Sequence, residues 1–329
     1  DTPGHVDFTF EVERSLRVLD SAITCLDGVA GVEPQTETVW RQADKYNVPR
    51  MVFVNKMDRI GADFQRCVAM VQERLGAETH VIQLPIHVDG DFRGLVDLIE
   101  QRSFIWSGDD PESPFEIGPI PAEMMDEVEL SRETLLEGLS NYDDDLLELL
   151  LEGEEPPVEM IKSVLRRTTI AGQSVPVLCG SAFRNKGVRL LLDAVVDYLP
   201  SPKDVPAITG LKVKSKVITD EEVSRPPEDD APFAALAFKI STDSYVGQLV
   251  YLRVYSGSVK VGNNVWNSTK GRRERLGRLL RMHANQREDI TECFAGDVVA
   301  AVGMKGVSTG DPLCLENGQL VLEKIEFPE

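Results

Sequence analysis

Four consecutive residues, Asn55-Lys56-Met57-Asp58, carry side chains suited to reading the edge and face of a planar ligand. They follow an apolar run, Met51-Val52-Phe53-Val54, and so sit at the C-terminal end of a strand, where open α/β sheets hold ligands. A carboxylate there offers two acceptors to a ring N–H and an amino group lying side by side. Guanine presents that pair of donors. Adenine presents a lone pair at the ring position, and a site built for the donor rejects it by a factor on the order of 10⁴. Asp58 is therefore the candidate for base recognition. Lys56 would lie along the base plane, and Asn55 would tie neighbouring loops together.

Two further stretches fit the same chemistry. Asp1-Thr2-Pro3-Gly4-His5 has the DxxG spacing of a nucleotide triphosphatase switch. In that reading Asp1 holds Mg²⁺ through a water, the Gly4 amide reaches the γ-phosphate, and His5 orients the attacking water. Gly180-Ser181-Ala182-Phe183 follows a second apolar run, Val175-Pro176-Val177-Leu178-Cys179, and precedes an amphipathic stretch. Its Ser181, Ala182 and Phe183 fit a loop whose backbone N–H meets the guanine oxygen. The five cysteines never form a CxxC pair and the four histidines are dispersed. A disulfide framework or a zinc site is not expected.

The elements needed to position these residues are legible as alternation. Apolar residues at Phe8, Val12, Leu16 and Leu19 have helical spacing, Ala22–Leu26 reads as a strand, and Pro34 opens a helix running to Tyr46. A helix over Ala62–Leu75 follows the strand at 51–54, and another, with Val188, Leu191, Leu192, Val195, Val196 and Leu199 on one face, follows the strand at 175–179. Strand, loop and helix thus repeat three times, which predicts an α/β parallel sheet. About 120 residues separate the second and third repeats, too many for a connection, so a subdomain is inserted there. Its first part reads as strands with turns at Asp89-Gly90 and Arg93-Gly94; residues 121–170 read as acidic helices. Beyond a linker at 201–206, short β segments separated by glycine-rich turns predict a small barrel.

Charge is unevenly distributed. The net charge is −20, and residues 109–159 hold 18 Asp and Glu against Arg132 alone. By contrast, residues 270–287 hold seven Lys and Arg against Glu274 alone. The first segment repels RNA and suits a basic partner; the second suits sequence-independent contact with phosphates. No apolar run approaches the length of a membrane span.

The three motifs in this order, with Glu11–Asp20 after the first and Leu252–Gly257, Arg278–Asn285 and Ala295–Asp297 further on, resemble the elongation factor G family of translational GTPases over nearly the whole chain. The resemblance implies a partial P-loop-GTPase-type parallel sheet with an inserted α+β subdomain, followed by a translation-factor β-barrel domain. Residues 1–203 would form the GTPase domain, with the insertion at about 76–174, and residues 204–329 the barrel. GTP or GDP with Mg²⁺ would be the ligands and the ribosome the partner. The acidic insertion would meet the large-subunit stalk protein, and the basic stretch would meet small-subunit rRNA. A monomer in the bacterial cytoplasm is expected, with a mitochondrial or plastid location as the alternative. Ribosome-protection, back-translocation, recycling and release-factor-removing GTPases share these motifs, and a non-catalytic ribosome- or stalk-binding module also fits the composition.

No GxxxxGK followed by Ser or Thr occurs in the 329 residues, and the chain opens on Asp1 inside a motif. The expectation is a piece of a longer protein, binding guanine nucleotide poorly and hydrolysing none by itself.

Overall fold

The computed structural model describes residues 9–214, 217–243, 247–283 and 286–322. The chain divides into two compact units, Asp1–Pro200 and Ser201–Glu329.

The first unit runs α1 (Thr9–Val18), β1 (Ala22–Asp27), α2 (Pro34–Lys45), β2 (Arg50–Asn55), α3 (Phe64–Leu75) and β3 (Thr79–Val81). An antiparallel meander follows, β4 (Gln83–Val88), β5 (Asp91–Asp97), β6 (Arg102–Trp106) and β7 (Phe115–Gly118). Then come α4 (Met125–Ser140), α5 (Asp144–Glu152), α6 (Val158–Ile170), β8 (Val175–Cys179) and α7 (Val188–Tyr198). Four strands make a parallel sheet in the order β1-β2-β8-β3. Every residue of β8 and all of β2 except Asn55 are buried, as a parallel sheet covered on both faces requires.

The ends of the helices follow from local chemistry. Asp63 caps α3 by accepting the Arg66 N–H (2.9 Å), and Asp143 caps α5 by accepting the Leu146 N–H (3.0 Å). Gly76 and Gly153, both left-handed, close the two helices.

Two expectations about the insertion need correction. Thr79–Val81, assigned to it by sequence, pairs parallel with β8 and is the edge strand of the main sheet. Arg93-Gly94 is not a turn but lies inside β5, between Ile86 on β4 and Ile105 on β6. A Cβ on Gly94 would collide with the Phe104 carbonyl, so glycine there serves close strand approach instead of reversal. The insertion also has no core of its own. Leu84, Leu95, Leu139, Leu146 and Leu165 belong to the same buried cluster as Val52, Val54 and Leu178 of the parallel sheet. Its strands and helices are welded to the sheet they interrupt.

The second unit is all β. An eight-stranded sheet is built on the hairpin Ala234–Asp243 with Gly247–Ser256, flanked by Pro312–Cys314 on one side and Val298–Val302 on the other. Phe233, Val250, Leu252, Val254, Leu279 and Val299 fill its core. Ile208–Lys214 and Val217–Arg225 pair in a second, three-stranded sheet. The architecture is α/β with an α+β insertion, followed by a barrel-like β unit.

Candidate guanine-nucleotide site

Strands β1 and β2 run in register, so Asp27 and Asn55 end adjacent strands side by side. The chain turns sharply after Asn55, with Lys56 in a left-handed conformation (φ 63°) that non-glycine residues seldom adopt. Three hydrogen bonds hold the turn. The Asn55 carboxamide oxygen accepts the Lys56 N–H (2.8 Å), Met57 N–H donates to the Gly180 carbonyl (3.1 Å), and Gly180 N–H donates to the Val54 carbonyl (3.0 Å). The Lys56 ammonium donates to Asp27 Oδ2 (2.7 Å), while Asp27 Oδ1 accepts the Val29 N–H (2.9 Å). The Lys56 bond, more than any other influence, holds the Asp27 carboxyl below the usual carboxylate range. With its charge engaged, Lys56 offers a flat ligand mainly its methylene stem.

The loop after β8 is closed on itself. Ser181 and Lys186 exchange backbone hydrogen bonds in both directions (2.9 Å each), and Ser181 Oγ accepts the Arg184 N–H (3.3 Å). At its tip Ala182 N–H donates to Asn55 Oδ1 (2.8 Å). One carboxamide thus binds the backbones of both loops. Arg184 Nε lies 3.8 Å from Asp58 Oδ2, so the carboxylate is on the side of this second loop.

The structure therefore brings Asn55, Lys56, Asp58, Ser181 and Ala182 into one cluster at the C-terminal ends of β2 and β8. Phe183 follows Ala182 in the same loop and is 78% exposed, with the Arg184 guanidinium 5.7 Å from its ring centre. Asp1, Gly4 and His5 lie outside the described residues, and so does the Mg²⁺ position assigned through Asp1. Among the described residues no group of three or more His, Cys, Asp or Glu could hold a metal ion.

Sequence reasoning did not assign a site role to Asp27, Arg184 or Lys186. The signal for Asp27 was available: the runs Ala22–Asp27 and Arg50–Asn55 are equally long, and each ends in a polar residue. Nothing local in the sequence marks Arg184 or Lys186, because their partners are distant in the chain.

A family model described as elongation factor Tu GTP binding domain matches residues 1–201, and one described as elongation factor Tu domain 2 matches residues 247–314. The chain belongs to the translational GTPase family. A crystal structure of a Thermus thermophilus protein is similar over 100% of this chain at a TM-score of 0.81 and 27% identity. The match covers 46% of that protein, so the chain spans about half its length.

In the second unit of this member of the translational GTPase family, the basic stretch proves to be largely compensated. Lys270 pairs with buried Asp311 (3.3 Å), Arg272 with Glu274 (2.7 Å), Arg273 with Glu316 (2.6 Å), and Arg278 with Asp289 (2.5 Å). Arg281 lies 3.8 Å from Glu288. Only Glu274 lies within the stretch; the other carboxylates lie beyond Arg287 in sequence. Lys270 also donates to the Gly306 carbonyl (2.7 Å) and to Ser308 Oγ (2.5 Å). It is a structural cross-link, not a free phosphate ligand.

The acidic helices differ. Asp126, Glu127, Glu129, Glu133 and Glu137 on α4, and Asp144, Asp145, Glu148 and Glu152 on α5, are exposed and have no ion-pair partner among the described residues. Met125, Leu130, Leu147 and Leu151 stand exposed beside them.

Proposed function

We propose that this chain is the base-recognising part and second domain of a ribosome-dependent GTPase of the elongation factor G kind, which drives translocation of tRNA and mRNA. The observation that carries the nucleotide reading is the carboxamide of Asn55. It joins two loops at the end of a parallel sheet, with Asp58 on the side of the loop that carries Ser181, Ala182 and Arg184. Asp58 would accept the guanine ring N–H and amino group. The Ala182 N–H is already engaged with Asn55, so we assign the Phe183 N–H to the guanine oxygen. Arg184 must yield Asp58 to the base, a small loss for a partly exposed contact 3.8 Å long.

Asp1 with Mg²⁺, the Gly4 amide and His5 would act on the γ-phosphate, with water as the nucleophile. The elongation factor G reading, over other members of the family, is supported by the meander and acidic helices inserted between β3 and β8. Their unpaired carboxylates and exposed leucines suit a basic stalk-protein domain of the large subunit, with charge speeding encounter. For small-subunit rRNA, Arg275 is the best-placed phosphate ligand of the stretch, the exposed ion pairs of its neighbours being weak enough to exchange. A cytoplasmic monomer accords with these roles. No helix among the described residues is long and apolar enough to cross a membrane.

The test is base selectivity in a longer protein that includes a phosphate-binding segment. Asp58→Asn should lower guanine-nucleotide affinity by two or more orders of magnitude and raise that for xanthine nucleotides, because the amide presents a donor where the carboxylate accepted. Unchanged GTP affinity in that variant would remove Asp58 from the base.

A further inference from the structure

Lys186 is 1% exposed, and its side-chain nitrogen has two partners outside its own loop. It donates to the Phe92 carbonyl of β5 (3.1 Å) and to Asp109 Oδ1 (2.8 Å), which follows β6. A buried ammonium is costly unless fully paired, so this one fixes the position of everything attached to it. What is attached is the loop after β8, through the paired backbones of Lys186 and Ser181. The two preceding residues reach the same place. Arg184 Nη1 donates to the Asp109 carbonyl (3.2 Å), and Asn185 Nδ2 donates to the Pro111 carbonyl (3.0 Å). Three consecutive side chains of one loop are thus tied to the insertion, all to or beside the segment Asp109–Pro111.

We infer that Lys186 and Asp109 are positioning residues for guanine recognition, and that the insertion segment at 109–111 is a working part of the base site. This rests on the guanine-nucleotide reading and extends it. The loop that carries Ser181 and Ala182 is held from one side by Asn55 and from the other by the insertion, so its backbone, on to Phe183, is set in place before a base arrives. Preorganisation of this kind turns a flexible loop into a selective one. The two ends of the tie are unequal: Lys186 is sealed in, whereas the Asp109 side chain is 52% exposed. The tie can therefore be cut from the insertion side without opening the core.

The experiment uses the 329-residue chain with Asp109→Ala, Asp109→Glu and Lys186→Met. Amide hydrogen exchange at Ser181 and Lys186 reads the loop, and guanosine monophosphate against adenosine monophosphate, followed through amide shifts at 181–183, reads the base. Asp109→Ala should speed exchange at these two amides roughly tenfold, as loss of a charge-assisted hydrogen bond predicts. Exchange within β8 should not change, and the preference for the guanine nucleotide should fall severalfold. Asp109→Glu should restore part of both. Lys186→Met should do the same as Asp109→Ala if it folds, and Asp109→Ala decides the matter if it does not. Unchanged exchange in Asp109→Ala overturns the inference. Faster exchange with the base preference intact also overturns it, since the tie would then be structural only. A wild-type chain that responds equally to the two nucleotides sinks the guanine reading itself, and the inference with it.

Discussion

Lys56 keeps a left-handed backbone (φ 63°) that its side chain does not favour, and the hydrogen bonds around it account for its persistence. Its N–H is held by Asn55 and its ammonium by Asp27, so the turn is secured from both ends of one residue. Asp27 has a depressed pKa in the folded state. The stabilisation it contributes is therefore complete above the unfolded value near 3.9 and is lost as pH falls through the lower folded value. Carboxyl titration followed by NMR should place the Asp27 midpoint below that of an ordinary aspartate. In Lys56→Met the midpoint should move back up, because the Lys56 bond is the leading cause of the shift. A midpoint indifferent to that substitution would mean the ion pair does not hold the turn in solution.

At the scale of elements, two glycines decide how the loop after β8 meets α7. A Cβ on Gly180 would collide with the Lys186 carbonyl and lie 2.7 Å from the Phe53 ring, so the loop closes only over a bare backbone. Gly187 caps α7 at φ 85°, where a Cβ would lie 2.8 Å from the Cys179 carbonyl. Gly187→Ala combines a strained conformation with that overlap. It should destabilise the first unit by about 1–3 kcal/mol, measured as a shift in denaturation midpoint at constant slope. Gly172→Ala is a useful control: Gly172 also has positive φ (71°), but nothing lies within 4 Å of its Cβ position. It should cost less. Equal losses at the two positions would mean that backbone strain alone, and not the close approach to β8, matters at Gly187.

For the whole molecule, the distribution of charge matters more than its sum. The net charge of −20 is concentrated in residues 109–159, which hold 18 Asp and Glu against Arg132 alone, and on α4 and α5 the exposed carboxylates stand unpaired among the described residues. The cations of the second unit are instead matched by acids folded against them. The proposed contact with the stalk protein should therefore be steered by charge. Changing Glu129, Glu133, Glu148 and Glu152 to glutamine should slow association about tenfold at low salt, and much less at 0.5 M salt, where screening acts within a few ångströms. Measured association rates with equal salt dependence in the parent and the variant would place the contact elsewhere. Melting should change little, because these side chains are exposed and make no ion pair among the described residues.

The α/β alternation, the strand before Asn55 and the strand before Gly180 were legible in the sequence, because a buried parallel strand must be apolar throughout and a polar residue must end it. The second unit was legible only in outline. Its charged strands Arg272–Arg275 and Gln286–Ile290 lack the apolar alternation that marks a half-buried strand. The ion pairing of the basic stretch was illegible for a related reason: a window of sequence counts neighbours along the chain, whereas Asp311 and Glu316 reach it across a fold. Tertiary structure alone decided that Thr79–Val81 belongs to the main sheet and that Lys186 is buried against Asp109. Strand pairing and burial depend on contacts between residues as much as 127 positions apart, as between Ala182 and Asn55. Spacing along the chain carries no record of such contacts, since they form only when the shared core closes.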